Sequence, residues 1–254
     1  MLKDNAYNNQ VIWIIGASSG IGEALSKELA LRGATICLSA RREGDLKKLK
    51  NSLQGAQHEI FPLDVCDQDA VIKAAHAIHN HFGYIHRIIF LAAAYKPMRL
   101  ETLDLLEVRQ IITTNLLSAF YVLHAVIPLL KNQCYGQIAL CGSVAGYIGL
   151  PMGQPYSATK AAIINLAESL HSELPGTIDV KIINPGFVKT NLTAKNNFQM
   201  PMIITPEKAA RYIADGLLKK TFEIHFPKKF TLFLKLIRIL PYGLSTKILK
   251  RIQQ

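Results

Sequence analysis

Val11-Ile12-Trp13-Ile14-Ile15 runs directly into Gly16-Ala17-Ser18-Ser19-Gly20-Ile21-Gly22, and then into Glu23-Ala24-Leu25-Ser26-Lys27-Glu28-Leu29-Ala30. No other feature narrows the fold as much. Five apolar residues stopped by a turn read as a strand buried on both faces, the parallel-sheet type. The residues after the glycines have amphipathic spacing and read as a helix. Glycines at such a junction allow a tight turn, close backbone approach to a pyrophosphate, and close helix–strand packing. The spacing is Gly-x-x-x-Gly-x-Gly, not the commoner Gly-x-Gly-x-x-Gly. Any strand-to-helix turn can use a glycine, so the rest of the chain must decide.

The alternation continues. Strand-like runs near 11–15, 34–39, 58–62, 86–92, 135–141, 178–183 and 222–225 alternate with helical patterns near 20–32, 43–53, 67–82, 102–131, 154–174 and 205–219. This order predicts a parallel sheet covered on both faces. With right-handed crossovers it becomes an α/β fold with a doubly wound parallel Rossmann sheet, ligands lying at the carboxyl ends of its strands. At 254 residues the chain suffices for one large domain with a sizeable core. That domain is expected over 1–226, followed by a basic, apolar helical extension over 227–254.

Chemistry enters with Tyr156-Ser157-Ala158-Thr159-Lys160, with Ser143 thirteen residues upstream of the tyrosine. Residues four apart share a helix face, so an ammonium is expected beside a phenol. A free phenol titrates near ~10, and a fixed cation lowers that value. Bringing it to ~7 takes about 4 kcal/mol and yields a proton donor matched to neutral pH.

Taken together, these segments resemble the short-chain dehydrogenase/reductase family over roughly residues 9 to 226. The glycine motif is similar to that family's cofactor turn, with Ile15 where a threonine is usual. The resemblance implies that Gly16, Ser18, Ser19, Gly20, Ile21 and Gly22 hold the dinucleotide, and that Asp64, in Leu63-Asp64-Val65, contacts adenine. It also implies a catalytic tetrad of Asn115, Ser143, Tyr156 and Lys160. In this scheme Ser143 hydrogen-bonds the substrate oxygen and Tyr156 delivers the proton. Lys160 lowers the tyrosine pKa and binds the nicotinamide ribose, and Asn115 interrupts its helix to hold a relay water. Asn184-Pro185-Gly186-Phe187-Val188-Lys189-Thr190 matches the loop that closes on the nicotinamide, adding Pro185, Gly186, Val188 and Thr190 to the cofactor contacts. One stretch departs from the pattern: Phe90-Leu91-Ala92-Ala93 stands where Asn-Asn-Ala-Gly is usual, so Ala92 is kept as a contact and Ala93 is expected to crowd the cofactor.

Cofactor preference is read at the end of the second strand. Ala34-Thr35-Ile36-Cys37-Leu38-Ser39-Ala40 is followed by Arg41-Arg42, with no acid before Glu43. An acid there would bind the ribose hydroxyl of NAD, whereas guanidinium groups pair with the 2′-phosphate of NADP. NADP(H) is therefore expected over NAD(H), with Arg41 as first phosphate ligand and Arg42 as second. The segments 145–154 and 191–204 carry Tyr147, Ile148, Leu150, Met152, Phe198, Met200, Met202 and Ile203, with Lys195 as the charge. Such a lining suits a lipophilic carbonyl or alcohol of lipid-, acyl- or steroid-like kind. Family resemblance also implies a homodimer or homotetramer paired through helices near 115–131 and 154–174.

The formal net charge is +11, and seven of the Lys and Arg residues lie in 224–254, which has no acid. These charges are not interleaved with aromatics on a recognition element, so no nucleic-acid role is read. From Pro227 to Leu240, Lys228, Thr231, Lys235 and Arg238 fall on one helical stripe and most of the remainder is apolar. Pro241-Tyr242-Gly243 is expected to break this helix before a second one carrying Lys247, Lys250 and Arg251. A helix this apolar must bury most of its surface, either against protein or on anionic lipid. No stretch reaches the roughly eighteen uninterrupted apolar residues of a membrane span. The N-terminal residues lack a secretory pattern, and Cys37, Cys66, Cys134 and Cys141 show neither paired nor metal-ligand spacing. A cytoplasmic protein, peripheral on a membrane if the lipid reading holds, is expected. Two other function classes fit the chain: a non-catalytic dinucleotide sensor and a membrane-surface scaffold.

Overall fold

The computed structural model describes residues 5–55 and 57–252, with backbone only over 248–252. Seven strands, β1 (Val11–Ile15), β2 (Thr35–Ser39), β3 (Glu59–Ile60), β4 (Arg87–Phe90), β5 (Gly136–Cys141), β6 (Ile178–Pro185) and β7 (Glu223–Phe226), form one sheet. Their order is β3-β2-β1-β4-β5-β6-β7, and every pairing is parallel. The order reverses beside β1, which opens a crevice between the carboxyl ends of β1 and β4.

Strand periodicity divides the core in two. Along β1, Ile12 and Ile14 face α1 (Gly20–Leu31), α2 (Glu43–Ser52) and α7 (Pro206–Leu217). Val11, Trp13 and Ile15 face the opposite layer, built by α3 (Gln68–Phe82), α5 (Ser118–Gln133) and α6 (Tyr156–Glu173). Leu234 and Ile237 of α8 (Lys228–Ile239) pack into this second layer.

Helix boundaries depart from the periodicity at two places. The run expected over 102–131 is broken into α4 (Leu105–Ile112), a π-turn (Thr113–Leu117) and α5. It starts late because Asp104 caps it, accepting from the amides of Leu106 and Glu107. Near the C-terminus, Pro241 suffices as the break: α9 (Tyr242–Ile252) begins immediately after it and includes Gly243. By length and composition Leu105–Gln133 could cross a membrane. Here it is a core helix, with Ile111, Asn115, Ala119, Val122 and Val126 buried.

The glycine turn is sterically locked. Gly16 has φ +93°, and a Cβ there would lie 2.7 Å from the Ala92 amide nitrogen. A Cβ on Gly22, inside α1, would lie 2.1 Å from the Gly16 carbonyl oxygen. Replacing a helical glycine by alanine ordinarily stabilises by up to about 1 kcal/mol. Gly22→Ala should do the opposite here and destabilise by about 2 kcal/mol, because backbone must move to admit the methyl. Urea unfolding checks the sign, and a stabilised variant would contradict the packing.

Candidate active site

Strand ends and helix starts build the site. Between the carboxyl ends of β1, β2 and β4 lies a cavity of about 460 Å³. Its wall includes Gly16, Ser18, Ser19, Gly20, Ile21, Gly22, Arg41, Arg42, Asp64, Val65, Ala92 and Thr190, all expected at the cofactor. Ser19 precedes α1 without a side-chain cap, so the first-turn amides keep their donors for a ligand. Close backbone approach at Gly16 and Gly22, uncapped amides and two arginines at the rim make this a cradle for a dinucleotide. Arg42 is paired with Asp45 and reaches Ser18 Oγ at 3.4 Å. Arg41 makes no ion pair among the described residues.

Six expected cofactor contacts lie outside that wall. Asn115 lies beside Ala94, past the carboxyl end of β4, and Lys160 reaches Cys141 at the carboxyl end of β5 with the Tyr156 ring beneath it. Gly186 hydrogen-bonds Phe226 O at 2.7 Å, and Pro185 ends β6. Val188 is buried and bridges to Ile204. Of Phe90-Leu91-Ala92-Ala93, which stands in place of Asn-Asn-Ala-Gly, the last three line the cavity, followed by Ala94, while Phe90 is buried in the core.

Asn115 is fully buried in the π-turn, and its amide is fully engaged. Its Oδ1 accepts from Ala94 N at 2.6 Å, and Nδ2 donates to Ala94 O at 2.9 Å and Thr159 Oγ1 at 3.1 Å. The side chain thus joins the end of β4 to the first turn of α6. Beside Thr159, Lys160 is also fully buried, and its Nζ donates to Cys141 O at 2.7 Å. The ammonium stands 5.5 Å above the Tyr156 ring. Burial pushes the Lys160 pKa down.

Tyr156 differs from expectation. Burial pushes its phenol above the ordinary range, with Cys141 adding to the rise and a hydrogen bond with Ser143 opposing it. The lysine charge points to a carbonyl rather than to the phenol oxygen, so the expected depression is not seen in this arrangement. A tyrosine so placed is a protonated donor at neutral pH. Ser143 Oγ also accepts from Ala145 N at 3.1 Å, which fixes the turn after β5.

Composition by segment misplaced part of the substrate lining. Tyr147 is buried, with its hydroxyl donating to Glu223, and does not face a cleft. Lys195 Nζ is held by Tyr95 O at 2.7 Å. Met152, Phe198, Met202 and Ile203 are exposed and lie outside the wall of the cavity. Tyr95 was missed: its ring meets Tyr156 edge-on at 5.1 Å and its hydroxyl donates to Asn196 Oδ1 at 2.7 Å. Its place just past the carboxyl end of β4 was the available signal.

A profile of the short chain dehydrogenase family matches residues 10–201. The chain belongs to that family. An uncharacterized oxidoreductase of Myxococcus xanthus is 32% identical over 243 residues, covering 94% of this chain and 96% of that one. An 11-beta-hydroxysteroid dehydrogenase A of Arachis hypogaea is 32% identical over 197 residues, covering 76% of this chain and 56% of that one. The chain thus spans little more than half of the plant protein. A short chain dehydrogenase/reductase from Burkholderia phymatum, solved with NAD, superposes with a TM-score of 0.81 at 21% identity, covering 91% of this chain and 93% of that one. A variant actinorhodin polyketide ketoreductase with NADPH gives 0.77 at 20%, covering 85% and 95%. This short-chain dehydrogenase is an oxidoreductase of that family.

Glu223 was also missed, although it is the last acid before the basic C-terminal segment. It accepts from Tyr147, from Lys235 and from Asn184 Nδ2, the last at 2.8 Å. Burial would raise its pKa, but the hydrogen bonds from Lys235, Tyr147 and Asn184 outweigh that and hold it low. A depressed carboxyl contributes stability fully above its ordinary value, about 4.3, and loses it as pH falls through the lowered one. Glu223→Gln should therefore flatten the acid side of a urea-midpoint-against-pH curve, and an unchanged slope would contradict the network.

Proposed function

We propose that this dehydrogenase is an NADP(H)-dependent enzyme interconverting a carbonyl and a secondary alcohol on a lipophilic substrate of lipid-, acyl- or steroid-like kind. One observation carries the reading: the buried Lys160 ammonium stands over the Tyr156 ring and is bonded to the carbonyl of Cys141, a residue in the wall of the dinucleotide cradle. When bound, the reduced nicotinamide supplies a hydride to the carbonyl carbon. Ser143 donates a hydrogen bond to the substrate oxygen, and Tyr156 gives that oxygen its proton as charge develops there. Lys160, held at the Cys141 carbonyl beside the Tyr156 ring, is the residue for the nicotinamide ribose. Asn115 keeps α6, and with it both Tyr156 and Lys160, in register with the end of β4. Reversing the step oxidises the alcohol, with Tyr156 taking the proton.

The complete Asn115, Ser143, Tyr156 and Lys160 set favours turnover over a sensing role. For the cofactor, Arg41 is the first ligand for a 2′-phosphate, since Arg42 is already engaged by Asp45. The substrate class is supported by the apolar rim of Met152, Phe198, Met202 and Ile203, and it agrees with the steroid named for the Arachis relative. Leu105, Leu106 and Ile112 of α4, Leu117 of the π-turn and Phe120 of α5 are exposed apolar residues, which suits pairing into a homodimer or homotetramer. α6 offers no large exposed apolar residue to that interface. Unpaired cysteines favour a reducing, cytoplasmic setting, with the C-terminal helices peripheral on a membrane.

Two measurements test this. Tyr156→Phe should lower kcat by about 10²–10⁴-fold with cofactor affinity nearly unchanged, because the ring still packs but the proton is gone. Retained activity would overturn the mechanism. Arg41→Ala should weaken NADPH by about 10–100-fold and leave NADH alone, the loss of about 1.5–3 kcal/mol of charged hydrogen bonding. Calorimetry reads it, and equal affinities for the two cofactors in the parent protein would overturn the preference.

A further inference from the structure

The C-terminal helix α8 is seated with Thr231 and Lys235 of its polar stripe toward the protein, while Lys228 and Arg238 of the same stripe are exposed. Thr231 is fully buried, with its hydroxyl paired to His225 Nδ1, and Lys228 Nζ reaches His225 Nε2 at 2.9 Å. Lys235 is held by Glu223. Leu234 and Ile237 flank this stripe in the core. Of the two readings left open for this helix, Thr231 and Lys235 answer for one side of it: they fasten it to the protein.

The opposite face is apolar and uncovered. Leu232, Phe233 and Leu236 are 55%, 46% and 57% exposed, and Ile239 is 77% exposed. Tyr242 and Leu244 of α9, the helix that follows, are 89% and 49% exposed. A soluble protein rarely leaves so many large apolar side chains together in water without a partner. Around them lie the exposed Lys229, Arg238 and Lys247, which make no ion pair among the described residues. No acid occurs anywhere in 224–254. A second copy of this face would bring two acid-free cationic segments together, so charge disfavours self-pairing here. An anionic bilayer complements both parts: headgroups attract the cations while the acyl boundary takes up the apolar side chains.

The patch also adjoins the catalytic end of the molecule. Phe230, in the first turn of α8, packs 5.6 Å from Phe187, which meets Phe198 edge-on at 5.7 Å. Phe198 belongs to the loop whose Lys195 and Asn196 hold Tyr95 against Tyr156. An aromatic row thus joins the protein-facing side of the first turn of α8 to the loop that carries Phe198.

We propose that α8 and α9 dock on an anionic lipid surface through Leu232, Phe233, Leu236, Ile239, Tyr242 and Leu244, placing the rim of the site at the bilayer. The docking itself needs only the surface described. Its purpose, passage of a lipophilic substrate between bilayer and site, rests on the function proposed above.

Flotation of the full-length protein with phosphatidylcholine vesicles, with and without phosphatidylserine, tests the proposal without cofactor or turnover. The parent protein should bind the phosphatidylserine vesicles and be only partly released by salt, since the apolar contacts resist screening. L236Q/I239Q, at exposed positions, should lower vesicle affinity at least about tenfold while NADPH-dependent reduction of a water-soluble carbonyl stays at the parent level. K229E/R238E should remove the preference for phosphatidylserine. A parent protein that ignores both vesicle types at low salt overturns the proposal. So does L236Q/I239Q binding vesicles like the parent, or losing oligomeric state by light scattering without any vesicle effect, which would assign the patch to a protein contact. Vesicle binding intact in a protein that reduces no carbonyl would overturn the proposed function and leave the docking standing.

Discussion

The catalytic end of the molecule depends on one buried side-chain amide. Asn115 satisfies both backbone groups of Ala94 and reaches Thr159 Oγ1, so it fastens the tip of a central strand to the helix bearing Tyr156 and Lys160. A π-turn at Thr113–Leu117 is what aims it there, a local break in helical register at a functional place. An amide buried this completely is costly unless every group is paired, so the three bonds act as a geometric specification. Any shift of β4 against α6 would leave one of them unmade. Consequently the strand tip, the cavity wall at Ala92–Ala94 and the proton donor move as a unit.

Charge placement follows a second, related rule: each buried ion is met by a carbonyl or a partner. Lys160 uses the Cys141 carbonyl. Lys235 uses Glu223, which in turn orders Tyr147 in the segment after Ser143 and Asn184 at the end of β6. The anchoring of α8 and the ordering of the catalytic loops therefore share one carboxylate. The same pairing that draws Lys235 toward the protein leaves the apolar face of α8 in solvent, and it ties that helix mechanically to the segment after Ser143.

Much of this was legible in the sequence. Apolar runs and glycine punctuation located all seven strands and the crevice, because burial on both faces of a parallel sheet writes a continuous local pattern. The positions of Ser143, Tyr156 and Lys160 followed from their order along that pattern. What the residues did not reveal were facts set by distant partners. The start of α4 at Asp104, the inward turn of Thr231 and Lys235 on α8, the burial of Tyr147 and the aim of Lys160 at Cys141 each depend on a group far away in sequence or on a cap that competes with periodicity. Helical spacing groups Lys228, Thr231 and Lys235 together but cannot say that His225 and Glu223 await them. Tyr95 was missed because a lone aromatic after a strand carries no periodic signal.

The central claim is that a protonated Tyr156 supplies the proton in reduction, and its ionisation offers the most direct test. Single-turnover reduction of a lipophilic carbonyl, followed through nicotinamide absorbance across pH, should show a plateau through neutrality. The rate should then fall only on the alkaline side, because burial holds the phenol above its ordinary value and the rate is lost as the phenol ionises. A rate that rises with pH through the neutral range, or one indifferent to pH into strong alkali, would contradict the account.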